Sequence, residues 1–117
     1  MIEGLLNIKS PLPIAPLRET VIFPGNIWPI QSARIKSKAA IDASFATDDK
    51  LIVFVTQKNK RIDNPGPRDM YSMGTVCSIR RVVKNSEGEY SLSAEGISRV
   101  YIKNFTKLEP FLAAEIE

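Results

Sequence analysis

The sequence predicts a mainly β (α+β) domain, a small and highly curved sheet or pseudo-barrel of about six strands with one short helix. Three observations carry that expectation. Runs of β-branched and apolar residues with two-residue alternation recur along the 117-residue chain. Only one segment, SKAAIDASFATDD, changes to a helical period. The opening LPIAPLRETVIFPGNIWPI, from Leu12 to Ile30, is apolar yet carries Pro13, Pro16, Pro24 and Pro29, with Pro11 just before it. Proline cannot donate to a strand ladder and breaks a helix, so this stretch must be two short extended pieces at strand starts, edges or bulges.

Those two pieces are Leu12 to Leu17 and Ile27 to Gln31, separated by the turn FPGN. There Pro24 presets the backbone and Gly25 accepts a positive φ. In the helical segment Ile41 and Phe45 stand four apart beside Ala40 and Ala43, with Ser37 offered as N-cap. LIVFVTQ, Leu51 to Gln57, is uncharged and β-rich, as a central strand covered on both faces would be. NKRIDNPGPRDM, Asn59 to Met70, has the composition of a long loop. From Tyr71 a long hairpin is expected: GTVCSIRRVVK, the turn NSEGE, then YSLSAEGISRVYIKNF, with Gly96 marking a bulge in the second arm. FLAAEIE places Leu112, Ala114 and Ile116 on one strand face and stops inside the alternation. A single domain over residues 1–117, cut short at its C-terminal end, is therefore expected.

Composition narrows the function classes. With 44% hydrophobic and 25% charged residues the chain has the make-up of a globular protein, and a formal charge of +3 is too small a surplus to call for nucleic acid. The start MIEGLL carries a carboxylate where a signal peptide would carry positive charge. The apolar run Leu51 to Val55 is far short of the roughly 18 residues of a membrane span. A cytoplasmic location with no membrane contact is expected. There is no histidine, which removes the usual general base and the commonest zinc ligand, and no phosphate-cradling glycine loop or nucleophile elbow occurs. No catalytic residue, metal site or cofactor is expected in these residues. Cys77 reads as a small core residue, and Asp48 and Asp49 as solvated turn residues.

Two surface arrangements remain. Arg99, Tyr101 and Lys103 alternate with Val100 and Ile102, which puts a basic-aromatic-basic stripe on one strand face. Such a stripe could stack a base and neutralise phosphates, or serve as the solvated side of a buried strand. Ile27 and the single tryptophan, Trp28, sit between Pro24 and Pro29. Either Trp28 packs as core, or the pair forms an apolar patch held stiff by its prolines.

Read together, LPIAPLRETVIFPGNIWPI, the helix, LIVFVTQK, the proline-rich loop, MGTVCSIRRVVK and SAEGISRV resemble the amino-terminal domain of bacterial Lon, the ATP-dependent protease, over nearly the whole chain. The matching positions include Pro16-Leu17-Arg18, Val21 to Pro24, Pro29, Arg34 to Ser37, Gln57-Lys58, Gly74-Thr75-Val76 and Glu95-Gly96 through Arg99. The chain departs at Gly25, where the family often has a polar residue, and at Ile35, where an acidic one is usual. The resemblance implies a PUA-like β pseudo-barrel that recognises unfolded or tagged protein substrates and supports assembly with other Lon subunits. Candidate substrate-binding residues are then Ile27, Trp28, Arg34, Ile35 and Lys36. PUA-like folds also bind RNA, so a stand-alone RNA-binding module using Arg99, Tyr101 and Lys103 is the alternative. ATP, magnesium and the Ser-Lys peptidase chemistry would belong to modules of the parent protease outside these residues.

Overall fold

The computed structural model describes residues 11–117. Among them six strands follow in order: β1 (Leu12–Leu17), β2 (Ile27–Ser32), β3 (Leu51–Thr56), β4 (Met73–Lys84), β5 (Tyr90–Lys107) and β6 (Leu112–Ile116). The helix α1 (Ile35–Phe45) lies between β2 and β3, and a 3₁₀ turn at Pro67–Asp69 sits inside the loop before β4. β1 runs parallel to β3, with Ile14 opposite Val53, and the other pairings are antiparallel. The strand order is β2-β5-β4-β3-β1-β6, and β6 pairs with β5 as well. Ala114 stands opposite Leu12 of β1 on one side and Phe105 of β5 on the other. Five strands thus close into a ring, while β2 is appended outside it on the first half of β5. Because of that appended strand, and the bulges described below, the ring is not a clean barrel.

The closed sheet has a core on each face. Leu12, Ile14, Leu51, Val53, Val55, Val76, Val100, Leu112, Ala114 and Ile116, drawn from all five ring strands, pack together on one face. On the other face Ala15, Ile52, Phe54, Cys77, Ile79 and Ala94 are covered by Ile22, by Ile30 of β2 and by Ala40 and Ile41 of α1. Successive residues of β3 therefore feed alternate cores, which is why LIVFV carries no polar residue and is buried throughout.

The helix begins earlier than its sequence indicated. Arg34, in extended conformation, occupies the N-cap position without a side-chain cap bond, and Ser37 is not the cap but a buried first-turn residue. The buried stripe is Ser37, Ala40, Ile41 and Ser44, with the Ser44 hydroxyl donating to the Leu51 carbonyl at 2.8 Å. Phe45 falls off that stripe and is exposed, because spacing along a 3.6-residue turn favours 37, 40, 41 and 44 as one face.

β5 is 18 residues long and stays in one sheet only because it bends. Val76 pairs with Ser98 but its neighbour Cys77 pairs with Gly96, so Ile97 is an extra residue, the bulge expected at this glycine. A second register shift lies between Ile79 and Arg81. The structure adds a tighter reason for Gly96: a Cβ there would sit 2.5 Å from the Phe23 carbonyl oxygen and 3.2 Å from Pro24 Cα. Both backbones are held at this crossing, with Gly25 N–H donating to the Gly96 carbonyl and Gly96 N–H to the Asn26 carbonyl, each at 2.9 Å. Gly25 itself has φ +96°, the turn conformation foreseen for FPGN.

Gly96→Ala is expected to push the 22–26 turn off the sheet and destabilise the domain by about 3 kcal/mol, the scale of an overpacked core position. Urea unfolding of the variant checks this. A loss below about 0.5 kcal/mol would show that the crossing relaxes freely.

Candidate functional site

The sequence VIFPG alternates across the sheet surface. Ile22 is buried, while Val21 and Phe23 on either side of it are exposed at 41% and 54%. Beyond the turn Ile27 opens β2 at 63% exposure. Trp28 is half-buried, and of the two roles its sequence position allowed it takes mainly that of packing on the core. Its ring packs against the core below, its indole N–H donates to the Phe23 carbonyl at 3.0 Å, and its ring centroid lies 6.5 Å from that of Phe23. Val21, Phe23 and Ile27 are thus apolar side chains facing solvent from a backbone that is pinned down.

Arg99 is one of the pins. Its guanidinium donates to the Ile22 carbonyl and to the Thr75 hydroxyl oxygen, both at 3.1 Å, while the Thr75 hydroxyl donates to the same carbonyl. It also lies 5.9 Å from the Phe23 ring centroid, in cation–π reach. Arg99 is therefore turned toward the 22–23 backbone. Tyr101 and Lys103 remain exposed, but Lys103 falls where the β5–β6 register shifts between Ile102 and Asn104, so the regular alternation of the stripe stops there. A shallow hollow of about 260 Å³ continues the apolar surface from Val21 to Tyr71 and Met73, past Arg99.

Arg34, Ile35 and Lys36 lie elsewhere, at the start of α1. A groove of about 630 Å³ runs between them, the Asp63–Pro65 segment and the turn at Glu109 and Pro110, with Ile14, Pro16 and Leu112 also lining it. Ile35 is 82% exposed on its wall, and Lys36 is ion-paired with Glu109 at 2.8 Å. Arg34 is an internal tie: it donates to the Pro16 carbonyl at 2.7 Å, to Gln57 Oε1 and to the Asp63 carbonyl at 3.5 Å. Burial lowers the Arg34 pKa from its ordinary value, the neighbouring Arg18 charge lowers it further, and Asp63 opposes them in part. Gln57, itself buried, donates to the Asn59 and Ile62 carbonyls, and Arg18 to Lys60 and Asp63. The long loop is thereby sewn to β1 and to the helix start.

The structure thus separates the five candidate residues into two surfaces. Ile27 and Trp28 belong with Val21, Phe23 and Arg99, whereas Arg34, Ile35 and Lys36 belong with the groove. Phe23 was not singled out from sequence, because Val21, Ile22 and Phe23 are all apolar and only the folded chain separates the exposed pair from the buried residue between them. Among the described residues no group of three or more His, Cys, Asp or Glu side chains gathers as metal ligands would, and no helix is long and apolar enough to cross a membrane. Cys77 is wholly buried, and burial pushes its thiol up to about 12, leaving it uncharged at neutral pH.

These features describe a small mixed-β module that carries an exposed apolar surface on pinned loops. The chain belongs to the ATP-dependent protease La (LON) substrate-binding domain family, whose sequence model matches residues 11–117. It is 37% identical over 114 residues to the Lon protease of Desulfovibrio desulfuricans and 38% identical over 117 residues to Lon protease 2 of Myxococcus xanthus. These alignments take in 97% of this chain but only 13% and 14% of those relatives. Among solved structures, the N-terminal domain of Mycobacterium avium complex Lon protease matches with a TM-score of 0.70 at 22% identity, over 92% of this chain and 54% of that one. A Lon N-terminal domain protein from Xanthomonas campestris matches at 0.67 and 15%, over 93% of this chain and 59% of that one. At these identities the likeness is one of fold.

Two outcomes follow from the pinned residues. Arg34→Ala leaves Gln57 Oε1 and the Pro16 carbonyl without a donor and should cost about 2–4 kcal/mol, with faster proteolytic nicking between residues 59 and 66. Unchanged unfolding and nicking would mean that the loop is held by other contacts. The Cys77 thiol should resist a disulfide reagent at pH 8 in the folded domain and react at once in denaturant. Rapid labelling of the native protein would contradict its burial.

Proposed function

We propose that this domain recognises unfolded or tagged protein substrates for a larger ATP-dependent protease, carrying no catalytic group of its own. The observation that carries the reading is the exposed set Phe23, Ile27 and Val21 on a backbone fixed by Gly96, Arg99 and the Trp28 indole. A side chain already ordered loses little entropy on docking, so apolar segments of a denatured protein can bind such a surface at low cost. The groove beside Ile35 and Lys36 offers a second contact area to the same class of ligand, or to neighbouring subunits when the parent assembles. Protein is favoured over nucleic acid because Arg99, the first cation of the basic stripe, is spent on the Ile22 carbonyl and the Thr75 hydroxyl. In this reading ATP, magnesium and Ser-Lys peptide hydrolysis belong to modules of the parent beyond these residues, and the protein works in the cytoplasm.

Trp28 touches Phe23 and is the only tryptophan in the chain, so its emission reports on this surface. Apolar peptides should shift that emission, and Phe23→Ala and Ile27→Ala should each weaken their binding by at least ~1 kcal/mol while leaving the melting temperature nearly unchanged. Binding unaffected by both substitutions would move the recognition surface elsewhere. The isolated domain should neither hydrolyse ATP nor cleave casein. Either activity in a preparation free of full-length protease would overturn the noncatalytic reading.

A further inference from the structure

Among the described residues strand β2 pairs with β5 alone, and its other edge carries no strand. The direction of its backbone groups follows from the register. Gly96 N–H donates to the Asn26 carbonyl, and Asn26 is the residue before the Ile27–Glu95 pair. Antiparallel pairs alternate between bonded and non-bonded, so Trp28, Ile30 and Ser32 turn their N–H and C=O groups toward β5, and Ile27, Pro29 and Gln31 turn theirs outward. Pro29 is accommodated for that reason: the N–H it lacks would have pointed away from the sheet. None of these three outward residues has a loop or side-chain hydrogen bond among the described residues. The side chains of Ile27, Pro29 and Gln31 are exposed as well.

The open edge runs beside a preformed cleft of about 400 Å³. One wall is Pro29 to Arg34, the other is Leu17 to Thr20, and Phe54 is part of its lining. The far wall is anchored: the Leu17 carbonyl accepts from Gln57 N–H, the Thr20 carbonyl from the Thr56 hydroxyl, and Arg18 is paired with Asp63. At its other end the same edge reaches Ile27, beside the exposed Phe23 surface.

We infer that the outer edge of β2 receives an extended segment of unfolded polypeptide as an added strand. Backbone hydrogen bonds at Ile27, Pro29 and Gln31 hold the segment, and alternate side chains meet the Phe23–Ile27 surface. The inference rests on the substrate-recognition reading and gives it a mode of binding. Main-chain bonding suits a ligand defined by being unfolded, since every unfolded chain carries the same amide groups. Pro29 also argues against a second copy as the occupant. An incoming peptide forfeits one bond there, but two β2 edges paired about Pro29 would forfeit it on both sides, and edge prolines are a common guard against such self-pairing.

The test uses fluorescence anisotropy with a labelled peptide of alternating Val and Thr, and two forms N-methylated on one or the other alternate set of amides. The side-chain alternation determines which set faces β2, so one methylated form should bind at least tenfold more weakly and the other like the parent. Gln31→Pro, which removes an outward N–H without touching the β5 ladder, should weaken the parent peptide at least fivefold with the melting temperature preserved. Pro29→Val, which restores a donor, should tighten it. If the parent peptide binds and neither methylation matters, side chains alone hold the ligand; the added strand is then overturned while substrate recognition stands. If no extended peptide binds, both readings fall. If sedimentation shows a dimer of the unaltered domain that Gln31→Pro dissolves, the edge pairs with itself and the inference is overturned.

Discussion

Everything in this fold depends on one strand serving three neighbours. β5 gives one edge to β4 along most of its length and divides the other, lending Tyr90 to Glu95 to β2 and Ile102 to Lys107 to β6. A straight strand could not do this, because β6 must return to β1 to close the ring while β2 stays outside it. The bend is concentrated where Ile97 is extruded beside Gly96, and there the Phe23–Pro24 backbone comes to within contact of the strand. Ring closure and surface geometry are thus consequences of the same few residues.

That crossing explains how large apolar side chains can face water without a floppy loop beneath them. The turn from Ile22 to Asn26 is held by two main-chain bonds to Gly96, by the Trp28 indole and by Arg99 working with Thr75. Each of these ties satisfies a backbone group that would otherwise need water, so the turn can lie flat on the sheet. The exposed faces of Phe23 and Ile27 are what remains once the backbone has been accounted for. Arg34 plays a similar part at the opposite end of the loop system, joining Pro16, Gln57 and Asp63.

The prolines of the opening segment have separate roles that share one cause, the missing N–H. Pro13 and Pro16 lie in β1 opposite Ala113 and Val55, Pro24 starts the turn, and Pro29 sits at an outward position of the appended strand. Each lies where a short strand or a turn can do without the donor, and the apolar ring still buries the carbon skeleton around it. The segment can therefore be rich in proline and in sheet at once.

Local pattern by itself determined the mainly β class, the strand ranges to within a residue or two, the doubly buried β3, the bulge at Gly96 and the apolar face of β6. These follow from side-chain alternation and turn chemistry, which act over a few residues and are written directly in the chain. The resemblance to the Lon amino-terminal family was legible for the same reason, through Pro16-Leu17-Arg18 and Glu95-Gly96 in their spacing. The helix start was not, because Arg34 replaces a side-chain cap with long-range bonds to Pro16 and Gln57. Nor could sequence say that Arg99 reaches back to Ile22, 77 residues away, rather than standing in a surface stripe, or that Phe23 shares a surface with Ile27. Whether a side chain is exposed on a pinned backbone depends on which distant strand crosses beneath it, and that was decided only when β5 bent and the ring closed.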